Sequence, residues 1–238
     1  MSGWAGASHR TRAPALQAIL AVATAGVVVG VAFLVLFNPP VTHAALRQAG
    51  SASILGLTEA QTEAVSDRTL GEMALGPGTF AFSAVAGGER FYDEAEASHL
   101  RDARTVMYLF LGFVALSAVA LVAILARRRG ESWAWRGVAA GGLGIAIALA
   151  TIGVVATVAF DQAFTLFHEI FFPGGNWEFS LATERMVQLY PTPFWELVST
   201  LLAILTIGIG LAVWYAARGH ARRIEARNHG LALPGARP

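Results

Sequence analysis

The chain of 238 residues is 55% hydrophobic and only 14% charged, whereas a soluble domain usually carries about 25% charged residues. Together with a mean hydropathy of +0.55, this composition excludes an ordinary soluble fold and indicates that lipid surrounds much of the surface. Because the chain has no Cys, disulfides, thiolate metal sites, a cysteine nucleophile and lipidation of its own cysteine are excluded.

Four segments are long and apolar enough to cross a bilayer as helices. A hydrocarbon core of roughly 30 Å requires about 20 apolar residues, and the segments cover residues 16–37, 105–126, 137–160 and 194–217. In the third, Gly137, Gly141 and Gly144 lie near one face and predict close packing of helix backbones. The sequence predicts an all-α membrane protein with four transmembrane helices.

The first segment has a second interpretation, as a cleaved signal peptide, because Arg10 and Arg12 precede it and Thr42-His43-Ala44 resembles a cleavage site. Its apolar run is about 22 residues, longer than the usual 7–15, and Pro39-Pro40 stop it. We therefore expect it to be retained as a signal anchor.

Arginine placement predicts the orientation, because cytoplasmic loops of membrane proteins are enriched in basic residues. Arginines cluster before the first span, between the second and third, and after the fourth. Both termini (1–15 and 218–238) and the short loop 127–136 are therefore expected in the cytoplasm. Residues 38–104 and 161–193 are expected outside.

The longer outer segment, 38–104, is too polar to cross the membrane and is expected to form a small extracytoplasmic cap. Thr58-x-x-Gln61 predicts a helix start, and Gly76-Pro77-Gly78 predicts its end. The pair Gly87-Gly88 predicts a turn. A further helix is expected to begin near Asp93 and to continue into the second span.

Two histidines, His99 and His168, fall near the predicted outer membrane surface, where polar groups tend to be functional. Glu96 and Asp102 lie three residues before and after His99, on one side of the expected helix. A carboxylate at either position would orient the imidazole and leave its other nitrogen free as a base. A surface salt-bridge cluster at a helix start is the alternative.

Aromatic residues surround His168 and continue into the loop that follows. Pro173-Gly174-Gly175 interrupts the helical spacing. An interfacial aromatic belt explains part of this density; a binding site for a lipid-like ligand is the second interpretation. The residues expected to line that site are Phe164, Phe167, Phe171, Phe172, Asn176, Trp177, Phe179, Tyr190 and Phe194.

A metal site is a further alternative, because Glu96-x-x-His99 is half of a carboxylate-bridged di-metal motif. The second copy is missing, although two histidines and two carboxylates are enough for one Zn²⁺. The sequence has no Gly-x-Ser-x-Gly elbow, His-Glu-x-x-His motif or phosphate loop. We expect no metal, no cofactor and no nucleic-acid partner, and keep a metal-dependent hydrolase and a non-enzymatic lipid-binding scaffold as alternatives.

Two motifs resemble those of the lipoprotein intramolecular transacylases, a family of bacterial four-span membrane proteins. EASHLRD, residues 96–102, resembles the first. FHEIFFPGGNWEF, residues 167–179, followed by LYPTPF at 189–194, resembles the second. Residues 180–184 depart from the family pattern, in which an Asp-Pro pair and a further Asp are usual.

The resemblance implies a reaction and a site at the outer face of the bacterial cytoplasmic membrane. The substrate would be a diacylglyceryl-modified lipoprotein with a free N-terminal Cys amine, embedded in membrane lipid. Its sn-2 acyl chain would move to that amine, with His99 and His168 as the catalytic pair and Glu96 and Asp102 as orienting partners. The residues alone leave open which histidine is the base.

Overall fold

The computed structural model describes residues 5–230, which are mainly helical and contain no β-strand in that range. The predicted tails lie outside the described residues at 1–4 and 231–238. Numbered in chain order, the helices of the described part are α1 (Ala5–Leu36), α2 (Pro39–Ala49), α3 (Ser51–Leu55), α4 (Glu59–Ala74), α5 (Glu94–Arg128), α6 (Ser132–Val158), α7 (Phe160–Phe171), α8 (Arg185–Leu189) and α9 (Thr192–Gly230).

Four of these helices are long and apolar enough to cross a membrane: Ala13–Leu36, Glu94–Arg128, Ser132–Ala156 and Thr192–Gly230. Each overlaps one predicted span, and the predicted all-α membrane class is confirmed. The third differs in detail, because α6 ends at Val158 and the backbone turns at Ala159 before α7 begins. The helix that carries His168 is therefore separate from the third span.

Helix α5 is longer than a bilayer core is thick. Its 35 residues extend about 52 Å at 1.5 Å per residue, and only residues 105–126 are continuously apolar. The first three turns, residues 94–104, carry five charged side chains and extend beyond the membrane-spanning segment. His99 lies on this polar extension.

The chain divides into two compact units. In the described residues, the first comprises 5–32, 112–151 and 204–230. Its packing depends on small residues: a Cβ at Gly141 would clash with the backbone carbonyl of Ala21, and one at Gly142 would meet the carbonyl oxygen of Gly210 at 2.6 Å. A Cβ at Gly144 would meet nothing within 4 Å, so only part of the predicted glycine face makes close helix contacts.

The second unit comprises residues 33–111 and 152–203 and contains the segment predicted as a cap. Helix α4 begins with the predicted capping box, in which Thr58 and Gln61 exchange hydrogen bonds. The predicted turn is present, with Gly87 at φ 74° and the Gly88 amide bonded to the Val85 carbonyl. These signals are local, which explains why they could be recognised in the sequence.

A hydrophobic core joins the cap helices to the segment before α9. Its buried members include Leu46, Phe80, Tyr92 and Leu189. Buried hydroxyl pairs add polar contacts: Ser66 with Tyr190 at 3.1 Å and Thr69 with Tyr92 at 2.8 Å. This core anchors both the start of α5 and the chain around α8.

Candidate active site

His99 is held by a helix start that the local sequence specifies. Asp93 accepts a hydrogen bond from the Glu96 amide at 2.8 Å, and the Glu96 carboxylate accepts one from the Asp93 amide at 2.8 Å. This reciprocal pair is a capping box with Asp93 at the N-cap position. His99 lies within the next turn, with only 7% of its surface exposed.

Glu96 also ties α5 to α8. Its second carboxylate oxygen accepts a hydrogen bond from the Met186 amide at 2.6 Å, and the side chain is 2% exposed. Burial raises the pKa of Glu96, while these backbone hydrogen bonds oppose the shift. These hydrogen bonds join the Glu96 side chain to the backbone amides of Asp93 and Met186. The orienting role predicted for Glu96 towards His99 stays a prediction.

His168 is oriented by the last turn of α7. Its Nδ1 atom lies 2.8 Å from the Phe164 carbonyl oxygen. Because that oxygen only accepts, Nδ1 carries the hydrogen and the neutral ring presents a lone pair at Nε2. The helix ends directly beyond, where the Phe172 amide bonds to the His168 carbonyl, and the Pro173-Gly174-Gly175 sequence redirects the chain.

The two histidines meet inside the second unit. Their ring centroids are 5.9 Å apart and their planes differ by 23°. Phe172 contacts both rings, with centroids 4.6 Å from His99 and 5.5 Å from His168. Residues 69 positions apart in the chain therefore form one site, and both side chains are buried.

Aromatic side chains enclose this pair. The centroids of Phe164, Phe167 and Trp177 lie 4.1, 5.3 and 5.0 Å from His168. The Phe179 centroid lies 5.7 Å from His99. Such rings exclude water and contribute apolar walls of the kind found in small-molecule sites.

Three of the residues predicted to line the pocket lie at its exposed edge or in the cap core. Phe171 packs on Phe167 at 4.8 Å and is 46% exposed. Tyr190 and Phe194 belong to the cap core instead, where Tyr190 bonds to Ser66. Their aromatic character is thus used for packing the chain that leads into α9.

Asp102 and Asn176 form the polar edge of the site. The Asn176 amide donates to an Asp102 carboxylate oxygen at 2.6 Å. The Asp102 charge and the Asn176 hydrogen bonds both favour a protonated His99, which places the two residues beside that ring. The loop after α7 is thereby joined to α5 across 74 positions of sequence.

Burial dominates the protonation of both histidines. It lowers the pKa of His99 to about 4, with a further lowering from His168 that Asp102 and Asn176 only partly offset. Burial also lowers the pKa of His168, against the hydrogen bond to Phe164. Both imidazoles are consequently neutral near pH 7 and available to accept a proton.

One buried atom in the site has no partner. Nδ1 of His99 makes no hydrogen bond within residues 5–230. In the same residues, no group of three or more His, Cys, Asp or Glu side chains is arranged to hold a metal ion. The unpartnered nitrogen of His99 is free to exchange a proton with a group that enters the site.

Sequence reasoning placed a helix start near Asp93 but missed that Asp93 and Met186 hold Glu96 through hydrogen bonds. Asp93-x-x-Glu96 has the spacing of a capping box, so a local signal for Asp93 existed. Met186 has no such signal, because only its amide takes part and the contact spans 90 positions.

The chain is similar to known proteins over most of its length. A family model described as lipoprotein intramolecular transacylase Lit matches residues 18–195. The in meso structure of the membrane integral lipoprotein intramolecular transacylase Lit from Bacillus cereus has a TM-score of 0.75 and 12% identity, covering 91% of this chain and 99% of that one. A structure of the same protein with a histidine replaced by alanine has a TM-score of 0.67 and 11% identity, with coverages of 92% and 97%.

A curated relative is an uncharacterised protein of Aquifex aeolicus, 23% identical over 137 residues, which are 57% of this chain. The chain spans about 61% of the length of that relative. The structural likeness, at about 12% identity, establishes the shared fold, and the family model covers well over half of the chain. The chain belongs to the lipoprotein intramolecular transacylase family.

Proposed function

We propose that this membrane-integral chain catalyses an intramolecular acyl transfer in diacylglyceryl-modified lipoproteins. The acyl chain moves from the glyceryl sn-2 ester to the α-amine of the N-terminal Cys, and the product is a lyso-form lipoprotein with an amide-linked chain. Family membership supports the reaction class. The observation that carries the proposal is the pair of buried, neutral imidazoles 5.9 Å apart inside an aromatic enclosure.

The transfer requires one proton to move and no covalent enzyme intermediate. The amine nitrogen attacks the ester carbonyl carbon, a C–N bond forms and the C–O bond to the glyceryl group breaks. The proton lost by the amine ends on the departing oxygen. Since nucleophile and ester belong to one molecule, the enzyme contributes mainly by holding them together, an effect worth several kcal/mol (about 7–11 for well-oriented groups).

His168 is the base in this proposal. Its Nδ1 hydrogen is committed to the Phe164 carbonyl, so the lone pair of Nε2 faces away from that bond. The lowered pKa keeps this nitrogen unprotonated at neutral pH. It accepts the proton from the attacking amine and returns it to the departing sn-2 oxygen.

Asn176 stabilises the negative charge of the tetrahedral intermediate. Its amide nitrogen carries two hydrogens, one of which is donated to Asp102, and a donor preorganised in a water-poor site is worth more than in water. The hydrogen bonds between His99 and Asn176 engage the N–H of the neutral His99 ring, and the lone pair on its unpartnered Nδ1 is a second proton acceptor in the site. Asp102 holds Asn176 in place, and Glu96 holds the backbone around His99 and α8. Both carboxylates are thus positioning residues.

The acyl chains occupy the aromatic side of the site. Phe164, Phe167, Phe172, Trp177 and Phe179 surround the imidazoles, and the exposed Phe171 contacts surrounding membrane lipid. The arginine clusters favour both termini in the cytoplasm and this site at the outer face of the bacterial membrane.

Mass spectrometry of a model lipoprotein from cells that express this protein tests the proposal. We expect wild type to convert the diacyl N-terminus to the lyso-form, and His99→Ala and His168→Ala to leave it unconverted. His43→Ala, altered at the cap surface where it pairs with Asp67, is the matched control and should remain active. An unconverted substrate with wild type would refute the reaction and favour a lipid-binding scaffold, and full activity of both site variants would refute the site.

A further inference from the structure

The first unit contains a cleft of about 380 Å³ between α6 and α9. Its charged lining consists of Arg136, Arg218, Arg222 and Glu225, and its apolar lining includes Leu143 and Trp214. This volume is within the range of small-molecule sites. None of these residues takes part in the site described above.

The lining changes from apolar to charged along the helix axis. Leu143 and Trp214 lie within the predicted third and fourth spans, whereas Arg218, Arg222 and Glu225 follow the end of the fourth. The Arg218 guanidinium lies over the Trp214 ring, 5.3 Å from its centroid. The cleft therefore offers an apolar wall and a basic rim to one ligand, which is the distribution of an amphiphile.

The charges of the rim do not cancel. Arg136 is paired with Glu225, with an N···O distance of 3.2 Å. Within residues 5–230, Arg218 and Arg222 have no acidic partner. Two positive charges thus remain for an anion, and guanidinium groups match phosphate oxygens particularly well.

Glu225 is the acidic side chain of the rim and is 37% exposed. Its Oε1 atom is already paired with Arg136, so Glu225 neutralises that arginine and leaves the charges of Arg218 and Arg222 for a phosphate. A ligand with a negative charge and an apolar part therefore matches both parts of the lining.

We infer that this cleft binds an anionic phospholipid such as phosphatidylglycerol. The phosphate lies between Arg218 and Arg222, and an acyl chain follows the Leu143 and Trp214 wall. Basic pockets between membrane helices recognise anionic headgroups in this way. A free phosphate shares the anionic contact but leaves the apolar wall uncovered.

Native mass spectrometry of the purified full chain in detergent, titrated with phosphatidylglycerol or phosphatidylcholine, tests this inference. We expect phosphatidylglycerol to be retained and phosphatidylcholine not. Arg218→Gln combined with Arg222→Gln should weaken retention about 25-fold, since each basic side chain near an anionic headgroup is worth about 1 kcal/mol, or about fivefold. Arg223→Gln, on the same helix but outside the cleft lining, should match wild type.

Two further arms distinguish the ligand sources. Ala140→Trp, which fills the apolar part of the cleft without removing a charge, should also abolish retention. Millimolar glycerol phosphate, which lacks acyl chains, should not displace the lipid; displacement would show a site for free phosphate esters and overturn the lipid assignment. Equal retention of the two lipids would overturn the inference as well. So would wild-type retention of phosphatidylglycerol by the variant with both Arg218→Gln and Arg222→Gln, when that variant melts at the wild-type temperature.

Discussion

At the scale of single residues, burial affects the protonation of His99 more than the neighbouring charges do. His99 lies beside Asp102, yet its pKa falls to about 4 because desolvation outweighs the carboxylate. The folded protein therefore binds fewer protons at this ring than the unfolded chain, whose histidine titrates near 6.5. The stability contributed by the neutral ring is complete above about pH 6.5 and is lost as the pH falls towards 4.

This linkage predicts a difference between wild type and His99→Gln. Between pH 7 and pH 4.5 the wild-type melting temperature in detergent should fall, with a loss on the order of 2 kcal/mol attributable to His99. The glutamine variant, which cannot titrate, should show a flatter profile by scanning fluorimetry. Parallel profiles would mean that His99 is not desolvated.

Asn176 is expected to matter for rate rather than for substrate binding. Asn176→Ala removes one N–H donor from the proposed intermediate, and removing one such donor typically costs about 10²–10³ in rate. We expect kcat for lyso-form production to fall by about 10² with KM little changed. Glu178→Gln, two residues away on an exposed position, is the control, and an equal effect in both variants would contradict the assignment.

At the scale of elements, one carboxylate joins two helices. Glu96 caps α5 through Asp93 and accepts the Met186 amide at the start of α8. Its buried position is maintained because both oxygens have backbone donors. Glu96 therefore connects the cap core to the candidate active site through hydrogen bonds.

Glu96→Ala should loosen both ends of this connection. The loss of the α5 cap, together with a partly buried Met186 amide left without its acceptor, predicts a destabilisation of about 2–4 kcal/mol, with faster hydrogen exchange at Met186 as the local signature. Glu94→Ala, two residues earlier, removes only an exposed ion pair with Arg101 and should cost less than about 1 kcal/mol. Unchanged exchange at Met186 in the Glu96 variant would refute the connection.

Helix contacts in the first unit provide a matched pair of glycines. Gly141→Ala places a Cβ against the Ala21 backbone, whereas the Cβ of Gly144→Ala meets nothing within 4 Å. We expect the first to destabilise the protein by about 1–3 kcal/mol or more and the second to be close to neutral. Thermal unfolding in detergent measures both, and equal melting temperatures would argue against close packing at Gly141.

At the scale of the whole molecule, the absence of Cys makes the orientation directly measurable. We expect Glu178→Cys to react with a membrane-impermeant maleimide in intact cells. Glu131→Cys, in the arginine-rich loop, should react only after permeabilisation, because basic loops remain in the cytoplasm. The opposite pattern would invert the proposed orientation and move the site to the inner face.

The two histidines of the site could be predicted from the sequence, but their arrangement could not. His99 and His168 were predicted as a pair, because polar groups next to apolar spans are rare and costly. Their separation of 5.9 Å, and the Asn176 bond to Asp102, depend on how the loop after α7 packs on α5. Tyr190 and Phe194 carried the same aromatic signal yet belong to the core, because residue type does not specify the neighbour.

The sequence by itself determined that the chain is surrounded by lipid, and it determined the four spans, the capping box at Thr58 and the turn at Gly87. Each of these follows from composition or from residues within a few positions. Only the tertiary structure decided the neutral state of the two imidazoles, the tie from Glu96 to Met186 and the break at Ala159 that separates α7 from the third span. These features arise from burial and from contacts between distant segments, and no local pattern encodes them.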